Sequence, residues 1–293
     1  MLDHPAAEDA VPAGHRSGFI TLVGRPNVGK SSLVNAACGR KVSIVSDKPQ
    51  TTRHRVMGVL TRDDAQLVFV DTPGLHKPVS ALGERVNATA LDSVVDVDVQ
   101  CLVLDATAPF GRGDRWVAER LAIEDAVVVV NKIDRATPAS VMGMLAAAAS
   151  LGAAEYFPVS ARTGEGLEAL VGSLVGRLPV GPRYFPLGES SDVPEEQYVA
   201  ELVREQLLAV TRDELPYSIA TRVVEWEWPR IRVDIVVERN SQKGMVIGAG
   251  GSVLKEVGRR TREQLAPGVY LELRVKVDKD WQRRPERVER LGY

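Results

Sequence analysis

The segment Gly24-Arg25-Pro26-Asn27-Val28-Gly29-Lys30-Ser31-Ser32 follows an apolar, β-branched run at Phe19 to Val23 and opens a helical stretch at Lys30 to Cys38. Its glycines let the backbone curl so that successive N–H groups, with the helix N-terminus, face an anionic phosphate. Lys30 adds a charge at the β- and γ-phosphates, and Ser31 offers an oxygen to a divalent cation. A glycine turn with a chance Lys-Ser would not combine these features with a strand before and a helix after. The chain must therefore build a strand, phosphate loop and helix, with the ligand at the strand's carboxyl end.

The rest of the first half repeats that rhythm. Candidate strands at 19–23, 56–60, 66–70, 100–104, 126–130 and 156–159 alternate with helical stretches at 30–38, 81–91, 114–122, 140–151 and 167–177. Such alternation predicts an α/β unit with a mainly parallel sheet covered on both faces. The Pro- and Gly-rich stretch 179–192 breaks the rhythm and reads as a linker. A smaller α+β unit follows in the order α, β, β, α, β. The expected organisation is a disordered tail over 1–17, a first domain over 18–178, the linker over 179–192 and a second domain over 193–293.

Three further segments fall just after predicted strands. Asp71-Thr72-Pro73-Gly74 places a carboxylate where it can hold Mg²⁺ and an amide, from Gly74, where it can meet a γ-phosphate. Asn131-Lys132-Ile133-Asp134 offers a carboxylate, Asp134, that can accept from guanine N1–H and the 2-amino group, donors that adenine lacks, while the Lys132 stem lies on the base plane. Ser160-Ala161-Arg162 can give a backbone amide to guanine O6. An ATPase is disfavoured by Asn131, Lys132 and Asp134.

Thirty-seven Lys and Arg against 39 Asp and Glu give a net charge of −2, which alone argues against nucleic acid. The average hides a partition: residues 1–187 carry 19 basic and 20 acidic side chains, residues 240–293 carry 12 and 7. The basic end contains Gly248-Ala249-Gly250-Gly251 ahead of a helix bearing Lys255, Arg259, Arg260 and Arg262. A Gly-x-x-Gly turn of this kind lets backbone approach a nucleic-acid phosphate. The two cysteines, Cys38 and Cys101, sit in a helix and an apolar strand, reading as reduced thiols of a cytoplasmic protein. No run reaches the roughly 18 apolar residues of a membrane span.

In order, the phosphate loop, Asp71 to Gly74, Asn131 to Asp134 and Ser160 to Arg162 resemble the translation-factor-like P-loop GTPases over roughly residues 18–178. With Gln50-Thr51-Thr52-Arg53, Leu75-His76, Glu214-Leu215-Pro216-Tyr217-Ser218, Met245-Val246-Ile247-Gly248, Val275-Lys276-Val277, Trp281 and Leu291-Gly292-Tyr293, the whole chain after residue 17 resembles the Era family. That resemblance implies a GTP-hydrolysing switch with a type II KH domain that binds the 3′ end of 16S ribosomal RNA during assembly of the 30S subunit. It also allows peripheral association with the inner face of the cell membrane; nothing in the sequence suggests an obligate dimer, and a monomer is expected. Lys30, Thr51, Thr52 and Gly74 become the catalytic candidates, with either threonine open as the switch ligand. Ser31, Thr52 and Asp71 become the Mg²⁺ set, and Lys243, Gly248, Ala249, Gly250, Gly251, Lys255 and Arg259 the RNA set.

Two departures bear on mechanism. Leu75 stands where Ras-like enzymes carry the water-orienting Gln, so slow intrinsic hydrolysis is expected. Asn27 occupies a position that related GTPases use to help bind K⁺. The middle residues of the KH turn, Ala249 and Gly250, lack the usual cation, so phosphate affinity must lean on Lys243, Lys255 and nearby arginines. The competing reading is a GTPase acting on another RNA or at the membrane, its KH-like unit binding protein.

Overall fold

The computed structural model describes residues 11–75, 80–92, 96–211 and 215–293. The chain divides into two compact units, one of residues 1–43, 54–76 and 87–192, the other of 44–53, 77–86 and 193–293. Residues 1–10 of the expected tail lie outside the described residues, as do His76 and Glu214.

The first unit is a six-stranded sheet of β1 (Arg16–Val23), β2 (Val56–Thr61), β3 (Ala65–Asp71), β4 (Val99–Asp105), β5 (Val127–Asn131) and β6 (Glu155–Pro158), in the order β2-β3-β1-β4-β5-β6. Only β2 runs antiparallel to its neighbour. Its helices are α1 (Lys30–Cys38), α3 (Arg112–Ala118), α4 (Pro138–Ala149) and α5 (Leu167–Arg177), while α2 (Ala81–Asp92) belongs to the second unit up to Val86 and to the first from Asn87. On one face Ile20, Leu22, Leu67 and Val129 pack with Leu33 and Val34 of α1 and Leu170 and Leu174 of α5. On the other, Val23, Leu102, Leu104 and Val130 meet Val117 of α3 and Met144 and Ala148 of α4. Burial on both faces is why β5 reads Val-Val-Val-Val without alternation. A parallel sheet brings the residues that end β1, β3, β4 and β5 to one edge, and every nucleotide motif follows one of those strands or β6.

Two expected boundaries change. β1 begins at Arg16, and His15 and Ser17 are buried, so the tail does not extend to residue 17. Ser17 N donates to Pro179 O (3.0 Å) and Gly181 N to His15 O (3.0 Å), which ties this segment down. The same bonds show that 179–192 is a strap on the first unit and not a free tether. The amides of Tyr184 and Phe185 both donate to the buried Gln66 Oε1 (2.7 and 2.9 Å), Gln66 Nε2 donates to Phe185 O (2.9 Å), and Asp192 Oδ1 accepts from Met57 N (2.8 Å). A buried amide needs these partners, and the strap supplies them.

The second unit carries α6 (Glu195–Val210), β7 (Ala220–Glu227), β8 (Arg230–Val237), α7 (Asn240–Ile247), α8 (Ser252–Arg262), β9 (Tyr270–Val277) and α9 (Pro285–Arg290). Its sheet is β7-β8-β9, with β7 and β8 antiparallel and β8 and β9 parallel. Ile231, Val233, Ile235 and Val237, one face of β8, pack with Val199, Val203 and Leu207 of α6, Val246 of α7 and Val257 of α8. Residues 240–247 form a helix, α7, that the expected order lacks, so the order is α, β, β, α, α, β with α9 beyond. Gly244 lies inside this eight-residue helix and Gly248 caps its end, so its local sequence carries turn signals.

Candidate nucleotide and nucleic-acid sites

The loop between β1 and α1 is shaped by close approaches. A Cβ on Gly24 would stand 2.5 Å from Val103 O, and one on Gly29 2.3 Å from Asn131 Nδ2, so neither position admits a side chain. Gly29 (φ 99°) and Asn27 (φ 65°) both take the left-handed conformation. Gly29 precedes α1 and offers no side chain to cap it, so the first helix amides face the loop. Lys30 is buried and donates to Gly24 O and Arg25 O (3.1 Å each). Burial pushes its ammonium down to about 8, with Asp71 opposing that shift. Val28 is buried in the core beneath, while Ser31 and Ser32 begin α1.

Asp71 ends β3 fully buried. Desolvation raises its pKa, while Ser31, Ser43 and Lys30 lower it. Among the described residues neither carboxylate oxygen completes a hydrogen bond of ordinary geometry, although those hydroxyls are close enough to bias its titration. A buried anion in that condition beside a serine hydroxyl is chemically matched to a hard divalent cation held through water. Thr72 Oγ1 donates to Leu22 O (2.8 Å), and Gly74 lies against the loop, where a Cβ would meet Pro26 Cα at 2.7 Å. Leu75 is buried with Val23, Ala90 and Leu102. It serves the core and orients no water.

The guanine segment is braced from three sides. Asn131 Nδ2 donates to Val28 O (2.9 Å) and its Oδ1 accepts from Ala161 N (3.1 Å), linking the phosphate loop to the Ser160 loop. Asp134 Oδ1 accepts from Ser160 Oγ (2.6 Å) and Oδ2 from Arg162 Nε (2.7 Å). Ser160 foremost, then Arg162 against the opposing effect of burial, hold this carboxylate below its usual range. Each oxygen keeps a second lone-pair direction, which is what paired guanine donors require.

Two acidic residues were missed in the sequence because neither belongs to a recognisable motif. Asp114, buried in α3, accepts from Arg25 Nη1 (2.9 Å) and Gly111 N (2.9 Å), fastening the phosphate loop to that helix. Asp105 ends β4 in register with Asn131, and its Oδ2 lies 2.6 Å from Lys132 Nζ, which also donates to Asn27 O (2.5 Å). Burial alone would raise Asp105, but hydrogen bonds from Lys132 and Thr107 hold it below the usual range. The pair fixes the Lys132 stem across the base-binding position. Asp105→Asn is expected to weaken GDP binding about tenfold, the equivalent of about 1.5 kcal/mol for a charged hydrogen bond, without changing kcat. Equal GDP affinity by titration calorimetry would show that Lys132 holds its position alone.

Thr51 and Thr52 belong to the second unit. Ile44 packs on Leu202 and Leu208, and Val45 N donates to Glu205 Oε1 (2.9 Å). Thr51 Oγ1 donates to Lys48 O (2.6 Å), and its carbonyl accepts from the fully buried Arg204. Arg53 donates to Ile219 O (2.7 Å), Tyr217 O (2.9 Å) and the Tyr293 hydroxyl (3.4 Å), its guanidinium 5.9 Å from the Trp281 ring centroid and 5.4 Å from that of Tyr293. Residues far apart in sequence thus grip the segment that carries both switch candidates.

In the second unit, Gly248, Gly250 and Gly251 turn between α7 and α8 with φ of 74°, 57° and 77°. A Cβ at Gly248 would meet Val253 Cγ2 at 2.6 Å, whereas Gly250 and Gly251 have open space around them and Ala249 is exposed. Arg259 is held by Glu256 (2.8 Å) and Glu263 (2.5 Å), and Arg260 also by Glu256 (2.6 Å), which carries Glu256 down to about 2. Among the described residues no carboxylate pairs with Lys243 or Lys255. The cations available at this turn are therefore the lysines more than Arg259.

A family model described as 50S ribosome-binding GTPase matches residues 19–132, and one described as KH domain matches residues 214–282. The protein GTPase Era of Mycobacterium tuberculosis (strain ATCC 25618 / H37Rv) is 47% identical over 295 residues, spanning 94% of this chain and 98% of that protein. Its counterpart in Mycobacterium sp. (strain KMS) is 46% identical, with 95% and 99% covered. Among solved structures, a variant of Aquifex aeolicus Era bound to GDP·AlF4⁻ superposes with TM-score 0.90 at 37% identity, over 95% of this chain and 99% of that one. Era in complex with MgGDPNP and nucleotides 1506–1542 of 16S ribosomal RNA superposes with TM-score 0.91 at 38% identity and the same coverage.

Proposed function

The chain belongs to the Era family of GTPases, and from that premise we propose that it is a GTP-hydrolysing switch that binds the 3′ end of 16S ribosomal RNA through its KH domain and assists assembly of the 30S subunit. The observation that carries the reading is one chain in which a phosphate loop, a buried acceptor at Asp71 and a braced Asp134 share a sheet edge, while a separate unit presents a left-handed glycine turn flanked by lysines.

The chemistry follows from the residues. Lys30 and the backbone N–H groups of residues 27–31 neutralise charge that gathers on the transferring phosphoryl group. Ser31, Thr52 and Asp71 would hold Mg²⁺, which supplies further charge neutralisation at the β- and γ-phosphates when bound. Asp134 and a backbone amide of the Ser160-Ala161-Arg162 segment select guanine, and Lys132, set by Asp105, covers the base. Leu75 lies in the core and cannot orient the attacking water as a Gln would, so slow intrinsic hydrolysis is expected. Asn27 takes the left-handed conformation and its carbonyl accepts from Lys132; its side-chain amide would help hold K⁺. Replacing K⁺ with Na⁺ is then expected to lower the single-turnover rate, and equal rates would remove Asn27 from that role.

RNA affinity should depend on the nucleotide, because the segment of Thr51 and Thr52 folds with the KH unit. Binding of a 16S 3′-end oligonucleotide is expected to differ severalfold between GDP and a non-hydrolysable GTP analogue. Equal, weak binding in both states would break the link. Among the described residues no helix is long and apolar enough to cross a membrane.

A further inference from the structure

The surplus positive charge of the chain's last part is concentrated away from the glycine turn. α6, α7 and α8 all pack on the β8 face that carries Ile231, Val233, Ile235 and Val237. By the two-residue alternation of a strand, Asp234 and Val236 point to the opposite face. There a cleft of about 520 Å³ is lined by Arg222, Lys276, Lys279, Arg284, Arg287 and Arg290, with Asp278 in its wall.

The floor of this cleft is preorganised. Asp234 is fully buried, 2.7 Å from Lys276 Nζ and 3.8 Å from an Arg222 Nη, and Asp278 lies 3.1 Å from Arg287 Nη1. Two carboxylates thus position three of the cations. Lys279, Arg284 and Arg290 are exposed, and among the described residues none pairs with a carboxylate. Three unneutralised cations converging over a fixed basic floor is an arrangement that repels itself unless an anion is bound.

Along the sheet strands the positive character is neutralised beyond the cleft. Farther along the same sheet Arg230, Arg232 and Arg274 are consumed by Glu225 and Glu272, and on α8 Arg259 and Arg260 are consumed by Glu256 and Glu263. A running nucleic-acid strand would need a continuing track of free cations. A cleft of this volume, within the usual range for small-molecule sites, suits a compact ligand instead. We propose that the cleft is a second anion site, on the sheet face opposite the Gly248 to Gly251 turn, for a compact ligand carrying two or more phosphate groups, held by Arg284, Arg290 and Lys279 over Lys276 and Arg222. Arginine forks match phosphate oxygens two at a time, which favours polyphosphate over a single anion.

The test uses the full chain preloaded with Mg²⁺ and a fluorescent GDP, so that the first phosphate loop is filled, and tripolyphosphate as the probe in titration calorimetry at fixed ionic strength. The site predicts one saturable event, at least tenfold tighter than for orthophosphate, with no release of GDP. Arg284→Gln/Arg290→Gln should weaken it at least tenfold, Lys279→Gln alone severalfold, and Arg120→Gln on the first unit not at all. Because all three cleft side chains are exposed, the single Lys279→Gln variant keeps the test open if the double variant is unstable. No saturation, displacement of GDP, or equal binding by the cleft variants would overturn the proposal. Loss of binding in Gly250→Asp/Gly251→Asp would place the anion at the turn. A short RNA hairpin that needs Arg284 and Arg290 while tripolyphosphate fails to bind would make the cleft an RNA track.

Discussion

Lys30→Met is expected to lower kcat/KM for GTP by about 100- to 1000-fold, the equivalent of about 3–4 kcal/mol of transition-state stabilisation. The side chain is buried within the loop, and its two bonds to Gly24 O and Arg25 O aim the ammonium across the phosphate position. Methionine keeps the apolar stem and removes only the charge and its hydrogen bonds. Lys30→Arg should not rescue, because the guanidinium is bulkier than an ammonium and presents its donors in a plane. Single-turnover hydrolysis, with thermal melting as a control for folding, separates the two effects. A Met variant that hydrolyses GTP within tenfold of the parent would mean that the loop amides, not Lys30, carry the charge stabilisation.

Gly250→Asp/Gly251→Asp should weaken binding of a single-stranded RNA ending in the anti-Shine-Dalgarno sequence by at least 100-fold at moderate salt. Both positions have left-handed backbone, and both have open space where a Cβ would go. The aspartates would project outward into open space, at the backbone cost that any side chain meets at a positive φ, so a thermal melt accompanies the binding measurement as the control for folding. What they add is negative charge where a phosphate must approach the backbone, against only Lys243 and Lys255 nearby. Unchanged affinity measured by fluorescence anisotropy would move the RNA site off this turn.

The nucleotide site was legible because its chemistry is written in short segments that each follow a strand. Gly24 to Ser32, Asp71 to Gly74, Asn131 to Asp134 and Ser160 to Arg162 could be found one at a time, and a parallel sheet has no choice but to bring the ends of its strands to one edge. The bracing was not legible in the same way. Asp105 meets Lys132, and Asp114 meets Arg25, only because β4 lies beside β5 and α3 lies beside the loop. An acidic residue at the end of a strand or in the first turn of a helix is common, and nothing local marks these two. The strap was misread for a related reason. Proline, glycine and serine in 179–192 forbid regular structure, but they say nothing about the backbone partners that the buried Gln66 offers.

By itself the sequence determined the nucleotide chemistry, the α/β class of the first unit and the existence of a basic second unit, because loop conformation, strand burial and charge are properties of neighbouring residues. Only the tertiary structure decided where the surplus charge is usable. Contacts along α8 and across the sheet cancel Arg259, Arg260, Arg230, Arg232 and Arg274, while Lys279, Arg284 and Arg290 remain over the cleft. It also decided that the Thr51-Thr52-Arg53 segment folds with the KH unit, through Arg204, Trp281 and Tyr293. Those partners lie some 150 to 240 residues away along the chain. Pairing at that separation depends on which surfaces remain to be buried once each unit has formed, and no local pattern encodes it.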